Sequence, residues 1–451
     1  MELKKFKLKN KKQTFIIIFS IFIGLILGYF LFGNSYAFYE EEKDFDVIDG
    51  TVDDPGDIYF AYYIDGTISR NMPAQNTGYT LDETKSNCNN GVIPTWDNAG
   101  WKFIGDYHNY SATDNTRTKC TLYFNKTSKT VSTALGNVEV NTYTPDFTKS
   151  ACDDESCESH EKGIYETTDY DGNPTYYYRG SVENNYVKFA GYYWRIIRIN
   201  SNGSIRMIYD GTSAHANGES SEDRQYGTSQ FNSLYKNAMY SGYTYSSGEI
   251  HGTSTSSTIK TSIDNFYNSV LSKYTPYVDT NVGFCSDRTP VNNTSGVGTS
   301  TTLTYYKGYL RTMITKPTLV CENTTDYYTT SNAATGNKVL AYPVGLITVD
   351  EMIYAGHSGG VFDGTSSYQK SNINSYLTTG INFWLMTPAG YYNPFGDTNW
   401  YANIFFINTL GQIDDNYSLS SFGTKPVINI RSDVTITGNG TMTDPYILSV
   451  Q

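Results

Sequence analysis

The chain has 451 residues, a formal net charge of −12, 17% charged side chains and 39% hydrophobic ones. So few charges exclude a disordered polyelectrolyte, and the acidic balance argues against a nucleic-acid partner, which would need a basic footprint. With 42 tyrosines on a background of Ser, Thr, Asn and Gly, the composition suits a β-rich, loop-rich surface protein.

The first element is basic. Residues 1–14 carry six Lys and one Glu, or +5, so the remainder carries −17. Phe15 to Phe32 then reads FIIIFSIFIGLILGYFLF, 18 residues without a charge. Such a run can just span a ~30 Å hydrocarbon core as a helix. Lysines before it and Glu40, Glu41 and Glu42 after it predict a cytoplasmic N-terminus and an extracytoplasmic bulk. The segment is expected to be a single-pass membrane anchor. Ser35-Tyr36-Ala37 leaves a cleaved signal peptide, with secretion after Ala37, as the alternative.

Residues 33–55 read as an acidic stalk, and 56–127 as a small all-β module with strands at Ile58–Ile64 and Thr118–Phe124. Residues 128–160 read as a connector, and 161–451 as the main domain. Ile164–Thr168 and Thr175–Arg179 flank Asp169-Tyr170-Asp171-Gly172-Asn173, a hairpin turn. The string invites calcium, but its Gly is fourth rather than sixth and no distal Glu is in register. The strands of 187–200 and 205–209 are joined by Ser201-Asn202-Gly203-Ser204, and Arg195 and Arg198 read as strand-face cations. Ile259, Ile263, Phe266, Tyr267, Val270, Leu271 and Tyr274 recur at helical spacing, with Ser256 to Thr258 as N-cap candidates and Pro276 as the stop. A shorter helix is predicted at Thr348–Ala355. Strands return at Asn382–Met386, Tyr401–Asn408, Lys425–Ile430 and Val434–Thr437. Strands, helices and strands again predict an α+β main domain.

Six cysteines in an exported chain favour disulfides. Sequential pairing keeps each bridge within one segment: Cys88–Cys120, Cys152–Cys157 and Cys285–Cys321. Zinc at Cys152, Cys157 and His160 would have three ligands where a structural site wants four. Gly356-His357-Ser358-Gly359-Gly360 matches the nucleophile elbow G-x-S-x-G. A helix precedes it, however, and no His follows His357, so the required context fails. No metal site, cofactor or catalytic residue is assigned.

From residue 161 the chain resembles membrane-tethered surface proteins of unknown function from low-GC Gram-positive, gut-type bacteria. The resemblance rests on YYYRGSVENNYVKFAGYYWRIIRINSNGSIRMIYDG (176–211), SSTIKTSIDNFYNSVL (256–271), GFCSDR (283–288), YPVGLITVDEMIYAG (342–356), FWLMTPA (383–389), GTKPVINI (423–430) and GNGTMTDPYI (438–447). The small Cys88–Cys120 unit also looks like a β module that precedes such domains. The run W-L-M-T-P followed by K-P-V-I-N-I is similar to the end of C-type-lectin-like domains of the formylglycine-generating-enzyme type. This resemblance implies a C-type-lectin-like fold. Relatives more often carry Arg-Pro where this chain has Lys425-Pro426. The oxidase members use a cysteine pair near the C-terminal pocket, and no Cys follows Cys321 here, so that activity does not carry over.

The same resemblance implies a ligand surface on the loop before the last strands: Trp384, Tyr391, Tyr392, Asn393, Asp397, Asn399 and Trp400. Aromatics mixed with Asn and Asp suit a sugar or protein surface. The expected function is a membrane-anchored binding or adhesion protein with a glycan or surface-protein partner. An enzyme acting on cell-wall or host glycans and a structural envelope component are the alternatives.

Overall fold

A computed structural model describes residues 59–73, 79–89, 91, 95–97, 102–104, 119–126, 129–148, 151, 162–291, 303–357, 375–393 and 399–449. The expected α+β, C-type-lectin-like fold preceded by a transmembrane helix is corrected. Of the described residues 36% are strand and 16% helix. Among them no helix is long and apolar enough to cross a membrane. The span expected at 15–32 lies outside the described residues, as do the stalk and Cys152, Cys157 and His160. The helical periodicities are real but local, whereas the short strands, rich in Tyr, Ile, Val and Thr, carry the architecture.

Residues 59–126 form a five-stranded sheet around Lys119–Lys126, which pairs parallel with Tyr59–Ile64 and antiparallel with Tyr79–Leu81 and Asn87–Cys88. Its core is small: Leu81, Trp96, Leu122 and Phe124 pack beside the Cys88–Cys120 bridge. A core of this size leans on its cross-link. Closing a loop of 32 residues removes about 3–4 kcal/mol of unfolded-state freedom in the chain-entropy account. Replacing both cysteines with serine in the full chain is therefore expected to split thermal unfolding and lower the module's own transition. An unchanged melting profile would show that the bridge contributes nothing.

Two larger sheets build the main body. The nine-stranded sheet runs Val427–Ile430, Ile205–Gly211, Tyr192–Ile199, Tyr186–Phe189, Tyr446–Leu448, Thr435–Thr437 and Lys129–Thr130, with the Gly163–Thr168/Pro174–Arg179 hairpin added to Tyr192–Ile199. Lys129–Thr130 and the following helix Val131–Leu135 thus dock on this sheet, and Lys126 bonds Asp444 at 2.6 Å. The six-stranded sheet runs Thr228–Gln230, Ser421–Gly423, Phe383–Tyr392, Tyr401–Ile407 and Ile413–Tyr417, with Thr304–Tyr305 on Phe383–Tyr392. Trp194, Ile196, Met207, Phe383, Leu385 and Ile428 share one core.

Helix Thr258–Phe266 adds Ile259, Ile263 and Phe266 to that core and starts where Ser257 accepts from the Lys260 amide. It widens thereafter into a π turn at Tyr267–Leu271 and then tightens into a 3₁₀ segment at Ser272–Tyr277 containing Pro276. Helix Val349–Tyr354 opens on a capping box between Thr348 and Glu351. Arg195 is wholly buried, stacked 3.7 Å over Tyr186 and bonded to Asn185 and Asn217. Cys285–Cys321 is the second bridge, and the two described disulfides fit an extracellular environment.

Candidate functional site

The hairpin register decides what meets what. Pro174–Arg179 runs antiparallel to Tyr192–Ile199, with Tyr177 opposite Arg198. The turn before the first strand, 169–173, therefore lies beside the turn after the second, 200–204. Gly172 and Gly203 hold these turns at φ of 80° and 77°, where a side chain would be strained. Asp169 accepts from the amides of Asp171 and Asn173 at 2.9 Å and from the Ser201 hydroxyl. Asn202 is fixed from the other side by donating 2.7 Å to Asp279, which also caps the Asn281 amide.

Between these turns and the 280–282 segment is a cleft of about 260 Å³. Tyr170 and Tyr327 stack at one wall, centroids 5.2 Å apart and 6° from parallel. Asn200, Ser201, Asn202 and the exposed Asn281 supply amides and a hydroxyl. Thr175 also lines it. Only 1% of Thr175 is exposed, and its Oγ1 is buried with no hydrogen-bond partner. An unpaired buried hydroxyl loses about 1–3 kcal/mol.

Arg198 joins this cleft to a charged layer beneath it. Its Nε donates 2.8 Å to Asn200 and its Nη1 lies 3.0 Å from Glu351. Nη2 has no partner among the described residues. Glu351 also holds Arg206 at 2.7 Å and accepts from the Thr348 amide at 2.9 Å. Burial alone would raise the Glu351 carboxyl, but the two arginines and Thr348 outweigh it and leave it below the usual range. The same burial brings Arg206 down to about 10. Next to them, Arg311 grips Asp350 through two bonds of 2.8 and 3.0 Å and Asp287 through one of 2.9 Å. The space among these groups is about 30 Å³, room for a water and not for a sugar ring.

The residues expected from sequence to form the ligand loop fall elsewhere. Trp384 is fully buried; its Nε1 donates 2.9 Å to the Ser229 carbonyl and its ring meets Phe231, Phe406 and Phe422. The structure thus places Trp384 in the core of the sheet rather than at the surface. Tyr391 and Tyr392 are both buried in strand Phe383–Tyr392, with their hydroxyls on the Lys236 carbonyl and Asp415. Trp400 is half-buried against Tyr391 at 5.9 Å, and Asn393 and Asn399 are also half-buried. Asp397 lies outside the described residues. These positions do not share the cleft.

His357 is buried in a hydrogen-bonded pair with Ser375 at 3.0 Å, and its Nδ1 meets the Gly411 carbonyl at 2.6 Å. Burial lowers its pKa to about 4, so the ring is neutral at pH 7. Ser358 lies outside the described residues. Lys425 is also buried, donating 2.6 Å to the Arg224 carbonyl, and burial lowers its pKa to about 7. Among the described residues no group of three or more His, Cys, Asp or Glu could hold a metal ion.

The 169–173 and 201–204 strings are legible in the sequence as turns and Arg198 as a face cation, whereas Thr175, Asn281 and Tyr327 carry no such local mark. Antiparallel pairing of two adjacent hairpins was the available signal: it puts two Asx-rich turns at one sheet end. No known protein family, no curated protein and no solved structure matches the chain.

Proposed function

We propose that this chain is an extracytoplasmic, non-catalytic glycan-binding protein that holds one sugar unit in the cleft between the 169–173 and 200–204 turns. The observation that carries this reading is the buried, unpartnered Thr175 hydroxyl in a cleft whose walls combine amides, a serine and stacked tyrosines with Asp169, Asp171 and Arg198. Amide and hydroxyl side chains match sugar hydroxyls in both directions, since each donates and accepts. Aromatic rings supply an apolar face for C–H groups. The volume of about 260 Å³ sits just under the ~300–1,000 Å³ of sites for drug-sized ligands, which suits one ring. Two carboxylates line the cleft, Asp169 and Asp171, both on the 169–173 turn, and Asp169 is held by the Ser201 hydroxyl and two backbone amides; Asp287, Asp350 and Glu351 beneath are engaged by arginine. That supports binding over glycoside hydrolysis, which needs two carboxyls flanking a sugar.

The full chain is expected to retain a defined sugar on a glycan array. Tyr170→Ala combined with Asn281→Ala, both at the cleft wall, should weaken it at least tenfold with the melting temperature preserved. A surface that retains no sugar, or a double variant that binds as well as the parent, would remove the reading.

A further inference from the structure

A second polar groove lies elsewhere on the main body, at the start of helix Thr258–Phe266. It is about 420 Å³ and open, and it runs between that helix, the sheet-edge strand Thr228–Gln230 and the Thr244–Tyr245/Thr255–Ser256 hairpin. Its lining carries no charged side chain. Ser233, Ser256 and Ser262 contribute hydroxyls and Asn265 an amide, none of which has a side-chain partner among the described residues. A charged ligand would lose its hydration here without gaining a counter-charge, so the groove selects a neutral one.

Asn232 makes the choice narrower. It is 2% exposed, and its amide is oriented by two fixed contacts: the backbone N–H donates to the Ser418 carbonyl at 3.0 Å, and Oδ1 accepts from the Leu234 amide at 3.3 Å. Asn232 is one of the residues that line the groove, and its Nδ2 is buried and without a hydrogen-bond partner. Exchanging the amide's oxygen and nitrogen would set two donors against each other at Leu234, so the donor is correctly placed. A buried N–H₂ with no acceptor calls for a strong acceptor on a slim group. The first turn of the nine-residue helix beside it, capped by Ser257, favours partial negative charge in the same place. Tyr245, half-buried and edge-on to Tyr240 at 5.1 Å, adds an apolar ring.

We infer that this groove binds a neutral acetamido sugar, with the acetamido carbonyl accepting from Asn232 Nδ2. The ring hydroxyls then meet the Ser and Asn side chains, and the acetyl methyl rests on Tyr245. The inference stands apart from the cleft, which shares none of these residues. It is tested by calorimetric titration of the full chain with N-acetylglucosamine and, as the matched sugar without a carbonyl, glucose. N-acetylglucosamine should bind about tenfold or more tightly than glucose. Asn232→Asp, equal in size but an acceptor where the donor stood, should abolish that preference, while Tyr170→Ala with Asn281→Ala should keep it. If Asn232→Asp does not fold, Asn265→Ala with Ser262→Ala carries the test and should lose the sugar. Equal affinity for the two sugars, no binding at millimolar sugar, a preference that survives the groove variants, or one that vanishes in the cleft variant would each overturn the assignment.

Discussion

Replacing Glu351 with alanine is expected to destabilise the protein by about 3–5 kcal/mol, the usual consequence of removing one partner from a buried ion pair. The carboxylate is 3% exposed and stands 2.7 Å from Arg206 and 3.0 Å from Arg198. Without it Arg206, 1% exposed and stacked over Phe284, and the mostly buried Arg198 lose their shared counter-charge. The glutamate half of the capping box, which accepts from the Thr348 amide, is lost as well. Against a total stability of ~5–15 kcal/mol, the variant should be marginal at 37 °C. Urea unfolding of the purified chains measures it, and a loss under 1 kcal/mol would show that the layer is structurally idle. The pH dependence follows from the same carboxyl. Its folded pKa lies below the ordinary glutamate value of ~4.3. Its contribution is thus fully present above that value and is lost as pH falls through the folded pKa. Acid unfolding of the parent should steepen below about pH 4, and Glu351→Gln should flatten that limb.

Trp384→Ala carries the second large effect, about 3–5 kcal/mol, the range for deleting a fully buried aromatic side chain. The indole fills the space among Phe231, Phe406 and Phe422 and donates to the Ser229 carbonyl. Truncation leaves both a cavity and an unmet carbonyl. Trp400→Ala, on a half-buried ring that packs against Tyr391, should cost markedly less. Chemical denaturation of the two variants side by side tests this. Equal midpoints would mean that the core does not depend on the strand Phe383–Tyr392 as described.

What could be read in the sequence was local. The Asp169–Asn173 and Ser201–Ser204 turns, the Ser257 and Thr348 helix starts and the Cys88–Cys120 and Cys285–Cys321 pairs all depend on neighbours or short separations. The fold class was misjudged because helical periodicity at 259–274 and 348–355 is conspicuous, while strands of three or four residues are not. Helix Thr258–Phe266 covers only part of the first run before the backbone widens. The burial of the expected ligand-loop aromatics was illegible for a related reason. Trp384, Tyr391 and Tyr392 are residue types equally suited to a sugar face and to a sheet core. Only the long-range packing of Phe231 on Trp384 and of Lys236 on Tyr391 decides between the two. The cleft depends on such contacts throughout: Tyr327 is far in sequence from the Tyr170 it stacks on, and no local pattern announces that Thr175 lacks a partner.

A crystal of the full chain soaked with the sugar that scores highest on the array would locate the bound ring. Sugar density is expected between the two turns, with one oxygen within hydrogen-bonding distance of Thr175 Oγ1 and another at Asn281. Density for the sugar against the 391–400 loop, with the cleft empty, would contradict that placement.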